Sequence, residues 1–353
     1  VKRSDGKKAA ARRWLGLAAA AALVALLPFV VNAYQLIFLT LLLINVILVV
    51  SYRFVTITGE WSLIHVVMMG VGAYASAILS KQVGLSVWLA MPLGGVAAAL
   101  IAYVLSVPLF RMKGFYFLIG SFAAGEAIRL TWNRFREPFG GPKGIKLIPA
   151  PEITIPGFDT ISLAFPPIHY YYLTALVMAL CLWIMYRLEK SRIGLTLNAI
   201  HWKDVLAESV GVDTRRYRTL AFATGSFFAG IAGALLAHYV GTINPDRFGL
   251  AIMLYVLVWT IVGGTGTFAG PIIGVVVLSI VDEAFRAFDQ LRPAIYGAIL
   301  ILTVRFLPNG LEGLPAKLRE LHDALAARRR PAPAARPAEG GGPAVLPAAD
   351  DRR

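Results

Sequence analysis

Inside the apolar stretch 114–132, Glu126 and Arg129 stand three residues apart, on one face of any helix they share. An ionisable group at the middle of a bilayer costs roughly 2.5–3.5 kcal/mol on insertion scales, so it faces a partner or a cavity. Two kinds of chemistry fit the pair. The charges can neutralise each other and hold a bundle together, or they can form a polar lining that meets the ammonium and carboxylate of a zwitterionic solute. His65 and His238 also lie in apolar runs. Hydrogen-bonded packing is the simpler role for each, with a place in the lining as the alternative. No nucleophile, acid pair or metal set converges at enzymic spacing. The single cysteine, Cys181, excludes an intramolecular disulfide and a cysteine metal cluster.

Glycines offer a different chemistry. Gly59, Gly70 and Gly72, and later Gly263, Gly264 and Gly266, would let helices unwind and present backbone groups to a solute. Gly263 to Gly266 are not a phosphate cradle, because no lysine follows them and the pattern G-x-x-x-x-G-K-[ST] occurs nowhere in the chain. Hydrolysis of ATP, where required, belongs to another polypeptide.

The elements that must position these residues are membrane helices. Of 353 residues 58% are hydrophobic and 15% charged, against about a quarter charged in soluble proteins. Apolar runs near 14–31, 34–51, 63–80, 86–110, 114–132, 169–187, 219–241, 250–262, 267–281 and 293–307 predict about ten spans of a hydrocarbon core about 30 Å thick. The runs 250–262 and 267–281 are short and flank the Gly263 break, so they read as two brief spans or as one broken, re-entrant helix. The expected fold is an all-α polytopic bundle with broken or re-entrant segments.

The formal net charge of +14 is explained by its placement. Lys2, Arg3, Lys7, Lys8, Arg12 and Arg13 precede the first run. Arg187, Lys190, Arg192, Lys203, Arg215, Arg216 and Arg218 fill the central loop, and Lys317, Arg319 and Arg328 to Arg330 follow the last run. The positive-inside rule puts all three clusters and both termini in the cytoplasm, six spans before the central loop and four after it. No nucleic-acid partner is needed to account for the charge. The first run is expected to stay uncleaved, although Val31-Asn32-Ala33 offers a small-residue site.

The expected organisation is a basic N-terminus over 1–13, a transmembrane domain over 14–315 and a tail over 316–353, Ala/Pro/Gly-rich and disordered at its end. An external loop over 133–168, "NRFREPFGGPKGIKLIPAPEITIPGFDTISLAFPPI", holds a short extended element at Ile153-Thr154-Ile155. It reads as a docking surface for an external protein or as a linker. Small residues recur every four positions in two spans, at Gly225, Ala229, Gly233 and Ala237, at Ser226, Gly230 and Ala234, and at Gly94, Ala98 and Ala102. They predict close helix packing within the bundle or between subunits.

The cytoplasmic loop 188–218 contains an amphipathic stretch. At 100° per residue Trp202, Val205, Leu206, Ser209 and Val210 fall on one arc, with Lys203, Asp204, Ala207 and Glu208 on the other. This predicts a helix over 202–210, stopped by Gly211 and followed by a second helix capped at Asp213. Such a rod would rest on lipid or on another protein.

The stretch "SRIGLTLNAIHWKDVLAESVGVDTRRYRTLAFATGSFFAGIAGALLAHY" (191–239) resembles the loop and following span of inner-membrane permeases of branched-chain amino acid ABC importers, of the M type. "TGEWSLIHVVMMGVGAYASAIL" (58–79), "KGFYFLIGSFAAGEAIRLTWN" (113–133), "GGPKGI" (140–145), "VGGTGTFAGPIIG" (262–274) and "RFLPNGL" (305–311) match that family in order. The resemblance covers about 50–311. It implies a non-catalytic transport subunit in the bacterial inner membrane, paired with a second permease as a heterodimer. Two ATP-binding subunits would use ATP and Mg, and an external solute-binding protein would deliver the small-molecule substrate; this chain would hold no cofactor or metal. It also implies that Trp202, Asp204, Val205, Leu206, Glu208, Ser209 and Gly211 couple to an ATPase, with Glu208-Ser209-Val210-Gly211 in place of an acidic-Ala-Ala motif. Glu126, Arg129, His65, Gly59, Gly264 and Gly266 are the expected translocation path. Permeases for urea, short amides or aromatic compounds share the resemblance, and an ion-coupled secondary transporter is the alternative of another class.

Overall fold

The computed structural model describes residues 22–153, 161–163, 166–307, 310–314 and 317. The expected N-terminal segment 1–13, the start of the first apolar run and all of the expected tail except Lys317 lie outside the described residues. The chain divides into a compact unit ending at Gly313 and a second unit from Leu314.

Eleven long or medium helices build the described part of the first unit. They are α1 (Ala33–Thr56), α2 (His65–Lys81), α3 (Val87–Leu109), α4 (Phe115–Arg134), α5 (Pro167–Glu189), α6 (Arg192–Trp202), α7 (Asp204–Ser209), α8 (Thr214–Val240), α9 (Leu250–Gly263), α10 (Gly270–Ala284) and α11 (Arg292–Phe306). Local chemistry sets their ends. The Asn32 N–H donates to Gln35 Oε1 at 3.0 Å ahead of α1, and Pro167 opens α5 with its fixed φ. Asp213 accepts from the Arg216 N–H at 3.0 Å and caps α8 as the sequence predicts.

The 27-residue α8 is the axis of the bundle. Ser51 of α1 bonds His65 at the start of α2, and Ser76 of α2 bonds His238 near the end of α8. Arg215 at the start of α8 donates to the Val107 carbonyl at the end of α3, while Tyr170 at the start of α5 donates to the Leu235 carbonyl. Successive helices therefore alternate in direction. The ends of α1, α3 and α5 meet the start of α8 at one pole, which also holds α6 and α7.

The small-residue stripes are used inside this chain. A Cβ at Gly72 would lie 2.3 Å from the Gly230 Cα, so the backbones of α2 and α8 touch, and Gly230 also meets Ala98 of α3. Where lipid offers no hydrophobic drive, this close approach is what associates helices. Around it the side chains of Ile47, Tyr52, Met68, Phe222 and Leu235 are buried.

The break at Gly263 makes a hairpin. A Cβ at Gly274 would meet the Trp259 carbonyl, so α10 folds back along α9 and does not continue it as one broken helix. Among the described residues five helices are long and apolar enough to cross a membrane: Ala33–Thr56, Val87–Leu109, Pro167–Glu189, Thr214–Val240 and the stretch Pro245–Gly263. The expected count of about ten is not reached on that measure. The 15-residue α10 and α11 are only about 22 Å long at 1.5 Å per residue, and α4 carries Glu126, Arg129 and Arg134.

At the opposite pole the loop after α4 folds into short pieces. β1 (Ile145–Lys146) and β4 (Thr242–Ile243) pair antiparallel, as do β2 (Glu152–Ile153) and β3 (Ile161–Ser162). The expected extended element is present at Ile153, while Thr154 and Ile155 lie outside the described residues.

Candidate functional site

The predicted rod over 202–210 is two pieces. Trp202 ends α6, Lys203 is extended at φ −158° and ψ 98°, and α7 begins at Asp204. The break follows from a contact that periodicity cannot register. The Asp204 carboxylate accepts from Arg218, 14 residues ahead, at 2.6 Å, and lies 3.6 Å from Lys113. Arg218 also lies 3.5 Å from Glu60, and both side chains are buried. Burial pushes the Glu60 carboxyl above the usual carboxylate range, and the Arg218 charge only partly opposes it. This cluster, with Arg218 and Glu60 buried at its centre and Lys113 exposed at its edge, joins α7 to α8, to the α1–α2 loop and to the α3–α4 loop.

The far end of α7 is held as well. Glu208 accepts from the Thr214 hydroxyl at 2.8 Å. Gly211, at φ +86°, supplies the left-handed stop that the sequence predicts, and the Val212 N–H reaches the Ala207 carbonyl at 3.1 Å. Asp204 and Glu208 thus reach back to α8 and Ala207 is buried beneath the segment, while its large apolar side chains face away. Trp202 is 81% exposed, Val205 77%, Leu206 63% and Val210 76%. An amphipathic helix in a soluble protein buries its large apolar side chains, so this segment presents an uncovered apolar knob.

A second cluster lies at the same pole. Arg53 at the end of α1 makes a bidentate pair with Glu189 at the end of α5, both bonds 2.9 Å. Its remaining arm donates to the Thr265 carbonyl in the α9–α10 turn. Glu312 accepts from the Gly266 N–H at 2.7 Å and the Thr267 N–H at 2.9 Å in that turn. Gly264, at φ +104°, takes a backbone shape closed to other residues, and Gly310 packs on it. The turn's backbone groups are thereby held by side chains of this chain, where the sequence suggested a solute.

The expected path residues occupy four separate places. Glu126 and Arg129 form the predicted pair along α4, with Arg129 also 3.2 Å from Asp246. Both remain partly exposed, on a helix whose outer row includes Tyr116 and Leu130. His65 is fully buried against Ser51 at 2.9 Å, a packing histidine. Gly59 faces His201 of α6, and Gly264 and Gly266 sit in the hairpin turn. Among the described residues no group of three His, Cys, Asp or Glu could hold a metal ion.

Sequence reasoning missed Arg53, Glu60, Glu189, Arg218 and Glu312. Arg218 read as one more cytoplasmic charge, and Glu312 stands one residue beyond the "RFLPNGL" motif.

Comparison with known proteins places this geometry. The family model described as "Branched-chain amino acid transport system / permease component" matches residues 34–304. The high-affinity branched-chain amino acid transport system permease protein LivM of Escherichia coli K12 is 29% identical over 302 residues, 80% of this chain and 71% of that protein. The corresponding LivH of E. coli K12 is 30% identical over 141 residues, 39% of this chain and 44% of LivH. A probable LivH of Methanocaldococcus jannaschii is 25% identical over 267 residues, 70% of this chain and 81% of that protein. No solved structure matches the chain.

Proposed function

The chain belongs to the branched-chain amino acid transport permease family and is a membrane transport subunit, not an enzyme; on that premise we propose that it imports branched-chain or related amino acids through an ATP-binding-cassette assembly in the bacterial inner membrane. The matches to both LivM and LivH support a second permease as partner. Two ATP-binding subunits then burn ATP with Mg, and an external solute-binding protein delivers the amino acid. Both termini face the cytoplasm, and the organisation is that of a transmembrane domain over 14–315 flanked by polar segments.

One observation carries this reading. The α6–α7 segment turns Asp204 inward onto Arg218 and leaves Trp202, Val205, Leu206 and Val210 uncovered. An apolar knob seated on buried charges is what a groove of another protein needs, and the charges make a stiff base through which a push on Leu206 moves α8. In this reading Trp202, Val205, Leu206 and Ser209 contact the ATPase, Asp204 and Glu208 anchor the segment, and Gly211 ends it. Glu126 and Arg129 on the partly exposed face of α4 line the path, where their complementary charges can meet a zwitterion. His65, Gly59, Gly264 and Gly266 shape that path from behind, through packing and the hairpin turn.

Replacing Leu206 by Asp tests the reading. The side chain is largely exposed, so folding should change by less than about 0.5 kcal/mol. The ATPase should no longer copurify and ATP-driven uptake should fall at least tenfold. Undiminished uptake of leucine by that variant would overturn the proposal.

A further inference from the structure

We infer that Glu60 is a positioning residue of the transport stroke: with Arg218 and the Lys113–Gly114 loop it links the α6–α7 segment to α4, so that a displacement of α7 turns the helix that carries Glu126 and Arg129. The inference rests on the transport reading above and names the side chain through which the push on α7 reaches the path.

The link is a chain of contacts between four elements. Asp204, at the start of α7, accepts from Arg218 Nη2 at 2.6 Å and lies 3.6 Å from Lys113 Nζ. The same Arg218 nitrogen lies 3.5 Å from Oε1 of Glu60 in the α1–α2 loop, and both of these side chains are buried. Burial raises the Glu60 carboxyl, while Arg218, the Gly114 N–H and Lys113 oppose that rise, so α8 and the α3–α4 loop both face this carboxylate, with Asp204 a like charge beside them. Glu60 is therefore shared between Arg218 and the residue that immediately precedes α4.

The unequal distances say which joint has play. The short bond to Asp204 carries Arg218 along with α7, whereas the gap to Glu60 can close. Arg218 Nε is buried with no hydrogen-bond partner among the described residues. A buried donor left unbonded is unfavourable, and an arginine fork can close on a carboxylate through two nitrogens at once. When the stroke brings Arg218 onto Glu60, the carboxylate is drawn off the Gly114 amide and the start of α4 is released. The contact then has two discrete arrangements, as a switching element requires.

The packing of α4 lets it respond. Gly114 has φ +55° and no atom within 4 Å of the place a Cβ would take, so it is free to act as a hinge at the helix end. Phe115 and Tyr116 after it are exposed, and of the α4 residues Phe117, Ser121, Gly125 and Trp132 are buried. The axis α8, by contrast, is held along much of its length by its neighbours.

The test uses the full assembly of this chain with its second permease, ATPases and solute-binding protein, in proteoliposomes where ATP hydrolysis and leucine uptake are followed together. Glu60→Gln keeps the shape of the side chain and removes its charge. It should leave hydrolysis within about twofold of wild type and lower the leucine taken up per ATP about tenfold. Glu60→Asp, which keeps the charge, should recover most of that loss. Spin labels at the exposed positions Leu130→Cys on α4 and Leu89→Cys on α3, in an assembly otherwise free of accessible cysteine, read the helix itself. On binding a non-hydrolysable ATP analogue their separation should change by about 2 Å or more with Glu60 present, and stay fixed in Glu60→Gln. Equal uptake per ATP in Glu60→Gln and wild type, or a separation that never changes with Glu60 present, would overturn the link and leave the transport reading in place. A parallel loss of hydrolysis and uptake in Glu60→Gln, or loss of the ATPases from its assembly, would make Glu60 a merely structural group and overturn the link too. Absence of ATP-driven uptake by the wild-type assembly would overturn the transport reading and the link with it.

Discussion

Arg53 shows how much one side chain can organise in a bundle of this kind. It is buried, paired twice with Glu189 and bonded to the Thr265 carbonyl, so it joins the end of α5 to the α9–α10 turn. Breaking a buried pair by removing one partner strands the other charge, whereas replacing both by apolar residues of similar volume is often near neutral. Arg53→Met should therefore lower stability by about 3–5 kcal/mol, and Arg53→Met with Glu189→Met should recover most of it, as measured by thermal unfolding of the purified chain in detergent. Glu60 makes a different prediction. Its folded-state pKa is raised, chiefly by burial, so its contribution to stability is full below the ordinary carboxylate range and is lost as pH rises through the raised value. The unfolding temperature of Glu60→Gln should fall less than that of wild type over that window. Neither role was legible in the sequence. Arg53 is partnered 136 and 212 residues away, and near the end of a span it looks like any other cytoplasmic arginine.

The helix ends show what local chemistry does reveal. Gly211 and Asp213 were readable as stop and cap because a left-handed glycine and a side-chain acceptor act within three residues. The split of the rod at Lys203 was not, since Arg218 comes from the next helix. A test belongs here. Gly211 has open space around it, so Gly211→Ala would meet no clash, only its φ of +86°. The substitution should cost about 1–2 kcal/mol, read as early loss of amide-exchange protection over 204–212 with the rest of the bundle unaffected. The Gly263 break likewise read correctly as an interruption. That it makes a hairpin depended on Gly274 meeting Trp259, a contact with no local signal.

For the whole molecule, the apolar runs predicted the helices well, because burial in lipid acts on each segment separately. The partner of the small-residue stripes was open in sequence, and the structure turns them inward, with α8 against α1, α2 and α3. A second permease must then use other surfaces. The two poles give a further prediction. Cys181 is buried, so the wild-type chain should resist a membrane-impermeant maleimide. Lys143→Cys should label in spheroplasts, and Leu206→Cys only after permeabilisation; labelling of both from one side would refute the assigned poles. The uncovered apolar side chains of that segment also bear on the life of the chain in the cell. Synthesised without its companions, and in the proposed orientation, the subunit would carry a greasy handle in the cytosol, where exposed apolar patches invite aggregation. In the proposed function the contact that would transmit the stroke would thus also mark an orphan for disposal and keep the subunits of the importer in proportion.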